Sequence, residues 1–131
     1  MKKGCFFCQL YQMKKEAVIA ESEHFFSMYD ENPVNPGHVL IISKRHTPSL
    51  FDLDKAEFSD LFTLLAKAKE AIQQHHPDGY NIGINDGPAA GQTVFHLHIH
   101  IIPRYQGDVK NPRGGVRGVI PEKRDYPSVK K

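Results

Sequence analysis

Three histidines stand within five residues, His96-Leu97-His98-Ile99-His100, out of eight in the chain. In a strand, alternate side chains share a face, so the three imidazoles would point the same way, roughly 6.6 Å apart per pair of residues. Phe95, Leu97, Ile99 and Ile101 would then point the other way, into apolar packing. Imidazole titrates near neutrality and is a good nucleophile toward phosphorus. Neighbouring histidines can donate to phosphate oxygens where charge builds up. Alternate residues of one straight strand converge poorly on a single tetrahedral ion. A row of rings lining an anionic pocket therefore fits better than one metal site.

The preceding segment suits such a pocket. Asn85-Asp86-Gly87-Pro88-Ala89-Ala90-Gly91-Gln92-Thr93 sets a glycine turn, an amide and a hydroxyl beside the histidines. Backbone N–H groups of such loops can cradle phosphate oxygens. Cys5 and Cys8 are the two cysteines. A bridge between such near neighbours closes too short a loop to staple a fold, so C-x-x-C reads as a metal half-site or a redox pair. No βαβ pattern surrounds it, which disfavours the thioredoxin-like case. His24, His75 and His76 have plainer readings, a hairpin loop and the end of a helix, where a cation suits the dipole. Arg104 and Arg113-Gly114-Gly115-Val116-Arg117 could reach a polyphosphate leaving group.

The elements that must hold these residues follow from periodicity. Residues 5–13 read as a short helix or turn carrying the cysteines. Val18–Ala20 and Phe25–Tyr29 read as two strands of a hairpin, with polar Glu21–His24 between them. Asp30–Gly37 is a loop by its prolines, asparagines and glycine. His38–Ser43 is a compact strand covered on both faces. Asp54 to His76 is the long helix, with Leu61, Leu65, Ala68 and Ile72 at helical spacing and Phe58 and Phe62 widening the stripe. Asp54 and Glu57 resemble a capping box, and Pro77 and Gly79 stop the helix. Tyr80–Asn85 alternates as a strand with Ile82 and Ile84 on one side. Val94–Ile102, closed by Pro103, is the last. The pattern predicts an α+β domain: an antiparallel sheet of about five strands, one long helix on a face and a short N-terminal helix.

A chain of 131 residues is one domain's length and can bury a real core. The expected division is a domain over 1–107 and an irregular tail over 108–131, packed on or near it. From residue 107 on, the chain carries seven Lys/Arg (Lys110, Arg113, Arg117, Lys123, Arg124, Lys130, Lys131) against three acids. Net charge is only +2, too little to imply a nucleic-acid partner. Met1-Lys2-Lys3 is followed by no apolar h-region, and no stretch approaches the ~20 apolar residues of a membrane span. The expectation is a cytoplasmic protein with no nucleic-acid or membrane partner.

Gly91-Gln92-Thr93-Val94-Phe95-His96-Leu97-His98-Ile99-His100-Ile101-Ile102 resembles the signature of the histidine-triad (HIT) family, His-φ-His-φ-His-φ-φ with φ an apolar residue. Pro36-Gly37-His38-Val39-Leu40-Ile41-Ile42 resembles its second landmark. The likeness covers about residues 4–107. Asn85-Asp86-Gly87-Pro88 leading into Gly91-Gln92-Thr93 looks like the Fhit branch, and Cys5-Phe6-Phe7-Cys8 looks like bacterial Hint-like members.

The resemblance implies a nucleotide hydrolase or transferase working at the α-phosphate through a covalent nucleotidyl-histidine on His98. His100 would contact the α-phosphate and help the leaving group. His38 would support His98 by hydrogen bonding. Thr93, Gln92 and Asn85 match positions that hold phosphate or the scissile oxygen. Asp30 matches a ribose-binding position, and Phe6, Phe7, Leu10 and Met28 match the base pocket. In zinc-bearing relatives Cys5 and Cys8 are joined by positions matching His46 and His96, so structural Zn²⁺ is implied; Mg²⁺ would come only with a polyphosphate substrate. Relatives of both branches are homodimers. The Fhit-like loop tilts the substrate toward dinucleoside polyphosphates of the diadenosine tetraphosphate type. Adenosine phosphoramidates, phosphorolysis and a non-catalytic zinc-stabilised nucleotide-binding protein are the alternatives. A metal oxygenase using the triad as ligands would instead carry iron.

Overall fold

In the computed structural model residues 4–126 are described; Met1-Lys2-Lys3, Lys130 and Lys131 lie outside them. Helix α1 (Phe6–Met13) leads into strands β1 (Ala20–Glu21), β2 (Phe25–Tyr29) and β3 (Val39–Ser43), helix α2 (Lys55–Ile72), then β4 (Gly79–Gly83) and β5 (His98–Arg104). The sheet order is β1-β2-β3-β5-β4, antiparallel throughout. The fold is therefore the expected α+β architecture.

The two faces of the sheet sort the strand residues. Val39, Ile41, Ile99 and Ile101 turn to one face and meet Leu61, Leu64, Ala68 and Ile72 of α2. Leu40, Ile42, Phe26 and Met28 turn to the other and meet Phe7 and Leu10 of α1. Leu40 pairs with His100 and Ile42 with His98, so the histidine rings share the α1 face. Leu64 and Ile72 are fully buried; truncating either to alanine would cost roughly 2–5 kcal/mol.

Helix α2 starts as the sequence indicates. The Asp54 side chain accepts from the Glu57 N–H (2.8 Å) and Glu57 accepts from the Asp54 N–H (3.0 Å). It ends at Ile72, and a 3₁₀ turn over Gln73–His75 leads to His76 with left-handed φ.

Two bounds move: the long helix ends at Ile72 and not His76, and β4 covers Gly79–Gly83 and not Tyr80–Asn85. Four further expectations change. The first strand sits at Ala20–Glu21 instead of Val18–Ala20. Phe58 and Phe62 do not widen the buried stripe, since they are 47% and 74% exposed. Phe95 is half exposed rather than packed. Strand β5 begins at His98, not Val94, and runs through Pro103 to Arg104. Pro103 is tolerated because β3 pairs no further than Ile101. The Pro103 carbonyl, on the same side as its nitrogen, takes the Asn35 side-chain amide (3.0 Å). His96 consequently lies just ahead of the strand.

Candidate functional site

A cleft of about 350 Å³ opens on the α1 face. Phe6, Phe7, Leu10, Met28, Leu40 and Ile42 make its apolar part, and Asp30, Thr93, His98 and His100 its polar part. The α1 helix forms one wall because Phe7 and Leu10 bury against the sheet. The Phe7 ring meets His98 edge-on with centroids 4.8 Å apart. All four residues expected in the base pocket line this cleft. Leu40 and Ile42 also line it, although the sequence did not single them out. In an apolar run covered on both faces, nothing distinguishes the two that end up opposite His98 and His100.

The ring nitrogens are sorted by their partners. His98 Nδ1 lies 2.8 Å from the His96 carbonyl oxygen. It must donate there, so the free lone pair of the neutral ring belongs to Nε2. His38 Nδ1 accepts from the Val34 N–H (3.0 Å). His38 therefore carries its proton on Nε2, which donates to His100 Nδ1 (3.0 Å), with Asp30 Oδ2 3.5 Å away. His100 is left with its own N–H on Nε2. His38 thus supports His100, not His98. Burial holds His38 below the ordinary imidazole range, partly opposed by the Asp30 carboxylate. Burial, then the neighbouring His98 and His38, does the same to His100.

Asp30, His38 and His100 bring three donor atoms close together. The Val34 N–H nevertheless rules against a cation there, because it obliges His38 Nε2 to keep its proton. Val34 acts through its backbone, and no side-chain pattern could have flagged it.

The second cluster has the opposite polarity. His96 is fully buried, and its Nε2 donates to the Ser43 carbonyl (2.6 Å). Nδ1 is left bare, 3.4 Å from Cys5 Sγ and 3.4 Å from Cys8 Sγ. His46 Nδ1 lies 3.1 Å from Cys8 Sγ. The four donor atoms all lie within 4.8 Å of one another. A tetrahedral Zn²⁺ with its usual bond lengths needs N···S edges of about 3.5 Å. Two thiols and two imidazoles, one of them already oriented by a carbonyl, fit that ion. Burial lowers the His96 pKa, and the Ser43 carbonyl opposes the shift.

The loop before the histidines is built around Gln92. Its Nε2 donates to the Pro48 and Val94 carbonyls (2.9 and 3.2 Å), and its Oε1 accepts from the Gly87 N–H (2.8 Å). Gln92 is buried and holds the loop's shape. Gly87 and Gly91 take φ 96° and 91° to bracket the short 3₁₀ turn between them. Thr93 stands exposed at the cleft mouth. Asn85 is exposed in a neighbouring groove, which it shares with His100, His38 and, from the tail, Gly115, Val116, Gly118 and Val119. The three arginines singled out for a leaving group, Arg104, Arg113 and Arg117, are engaged elsewhere. Arg104 is paired bidentately with Asp108 and bonds Asn81. Arg113 and Arg117 stack on Tyr126.

The chain resembles known proteins along most of this framework. It is 39% identical over 105 residues to an uncharacterised HIT-like protein of Methanocaldococcus jannaschii, covering 79% of this chain and 81% of that one. It is 40% identical over 100 residues to a bis(5'-adenosyl)-triphosphatase of Dictyostelium discoideum, covering 76% and 67%. A bis(5'-nucleosyl)-tetraphosphatase of Schizosaccharomyces pombe is 49% identical over 77 residues, 58% of this chain and 42% of that one. Among solved structures, a Zn-bound histidine triad family protein from Mycobacterium smegmatis superposes with a TM-score of 0.71 at 38% identity, covering 82% and 80%. The HIT domain family model matches residues 12–107, from the end of α1 past the last sheet strand. With the histidine strand, His38 and His46 all inside that match, this chain belongs to the histidine-triad family.

Proposed function

We propose that this nucleotide hydrolase cleaves dinucleoside polyphosphates at an α-phosphate, through a covalent nucleotidyl-histidine on His98. The observation that carries the reading is the pinned His98 ring. Its Nδ1–H is held by the His96 carbonyl, leaving a lone pair at Nε2 on a ring that lines the cleft. The relatives named as triphosphatase and tetraphosphatase support the substrate class.

In the first step His98 Nε2 bonds to the α-phosphorus as the bridging P–O bond breaks. The bond's electron pair leaves on the departing phosphate oxygen. His100 Nε2–H donates a hydrogen bond to a phosphoryl oxygen as charge accumulates. The His38–His100 pair is neutral and holds no spare proton, which suits a phosphate leaving group that departs as an anion. Water then attacks the phosphorus, its hydroxyl joins the nucleotide and the P–N electron pair returns to Nε2. The remaining proton passes to solvent. Asp30, at the rim of the cleft, would hold the ribose. Thr93 would donate to the phosphoryl group, and Asn85 and the Gln92-braced loop would frame it.

The Cys5–Cys8–His46–His96 cluster takes structural zinc in this reading, on the strength of its donor geometry and the Zn-bound relative. Zinc would supply a fixed tetrahedral anchor and no step of the reaction. The chain would act as a homodimer in the cytoplasm. Phe58 and Phe62, exposed on α2, and edge strand β4 with exposed Ile82 support the pairing. Among the described residues no helix is long and apolar enough to cross a membrane.

An adenosine phosphoramidate is the second reading. It is favoured by one observation: among the described residues no lysine or arginine lines either the cleft or the groove beside His100. A panel of diadenosine polyphosphates and an AMP phosphoramidate, scored by kcat/KM, separates the two. An acid-labile adduct trapped on wild type and absent from His98→Asn is the expected signature. Turnover by His98→Asn at the wild-type rate would end the mechanism.

A further inference from the structure

His96 touches both clusters. Its Nδ1 faces the thiols, its Nε2–H is fixed on Ser43, and its carbonyl holds the Nδ1–H of His98. Its ring is fully buried, so it has little freedom to reorient once Nδ1 is ligated.

The second imidazole ligand has a parallel reach. His46 begins the segment that fastens the phosphate loop. The Thr47 carbonyl accepts from the Leu97 N–H (2.6 Å). The Pro48 carbonyl accepts from Gln92 Nε2 (2.9 Å). Ser49 Oγ (2.8 Å) and the Leu50 N–H (3.2 Å) both donate to Asp86 Oδ2. From the ligand ring of His46, covalent chain and four hydrogen bonds lead to both ends of the loop carrying Thr93.

We infer that His46 and His96 are positioning residues for the reaction: ligated by zinc, they hold the phosphate loop and the nucleophile in register with each other. The inference rests on the reading that the cluster takes zinc and that His98 attacks. It goes further by giving the metal cluster a role in the rate, where a staple for α1 would serve only stability. Cys5 and Cys8 tether the helix; the two histidines tether the chemistry.

The test compares the zinc-loaded full chain with the same chain depleted by a chelator, after circular dichroism has checked that depletion leaves it folded. Expected on depletion is a fall in kcat of about 10- to 100-fold. AMP affinity reports separately on α1, which walls the apolar cleft and carries Cys5 and Cys8: a loss of affinity with kcat unchanged would assign the cluster to the helix alone and overturn the inference. The His98 Nδ1–H resonance should be lost to solvent exchange, and the Leu97 amide should exchange at least about tenfold faster. His46→Cys, which keeps four donors of a known zinc set, should restore rate and resonance; His46→Ala should not.

Unchanged kcat and an unchanged His98 resonance in folded, zinc-free protein would overturn the inference. Should depletion unfold the chain, Ser49→Ala decides. At one zinc per chain it should lower kcat and speed Gly87 amide exchange; no change in either would equally overturn it. Trapping of the adduct on zinc-loaded wild type keeps the two failures apart. An adduct without this coupling sinks the inference alone, and no adduct sinks the mechanism with it.

Discussion

Two histidine-rich clusters grow from one short stretch of chain, and they differ in which ring nitrogen is left bare. At the metal-type cluster a backbone carbonyl takes the Nε2–H of His96, so Nδ1 faces two sulfurs. At the cleft cluster a backbone N–H takes Nδ1 of His38, so Nε2 must carry a proton toward His100. The side chains are the same; the main-chain group that greets each one decides between ligand and proton donor. Residue type alone therefore predicts neither role.

The comparison breaks most visibly at His98. Replacing it with alanine should cut turnover roughly 10⁴-fold or more while leaving AMP binding near wild type, as calorimetry would show. If affinity collapsed too, the ring would be holding the cleft together and not acting as the nucleophile. Thr93→Ala should be milder, lowering kcat by about 10²-fold, the usual loss for one transition-state donor. A change confined to KM would remove Thr93 from the chemistry. Cys5→Ala and Cys8→Ala should each abolish stoichiometric zinc. They should also forfeit the stabilisation that binding provides, about 2.7 kcal/mol at free zinc 100-fold above its Kd, read as a lower Tm.

The smallest effect is in pH. Burial depresses His38 and His100 below the ordinary value of 6.5, so the unfolded chain takes up protons first. Their contribution to stability should be level above about pH 6.5 and decline as pH falls below it. In His38→Gln the decline should be shallower. An equal decline in that variant would assign the pH dependence to the other cluster.

Much of the fold was legible because hydrophobic period and capping residues agree. Asp54 and Glu57 mark the start of α2, and the alternation around His98 and His100 assigns them to one face. What stayed hidden depends on partners distant in sequence. Phe58 and Phe62 keep helical spacing and yet face outward, because the core is filled by Leu61, Leu64, Ala68 and Ile72. Pro103 reads as a strand breaker, and only the early end of β3 makes room for it. Within the site, residue types marked out His98 and the cysteines. The bond from His38 to His100 depends instead on a backbone amide at Val34, and Gln92 turned inward because three backbone groups of its own neighbourhood needed it.

Glu57 does two jobs at the head of α2. Besides closing the capping box it is buried and grips Arg45 through both oxygens (3.0 and 2.9 Å), while Arg45 also reaches the Asp52 carbonyl. Arg45 is the residue immediately before His46. The helix thus fixes the segment that carries His46 without help from any ion, so under the zinc reading an arriving ion would meet a half-assembled nest and have less chain entropy left to remove.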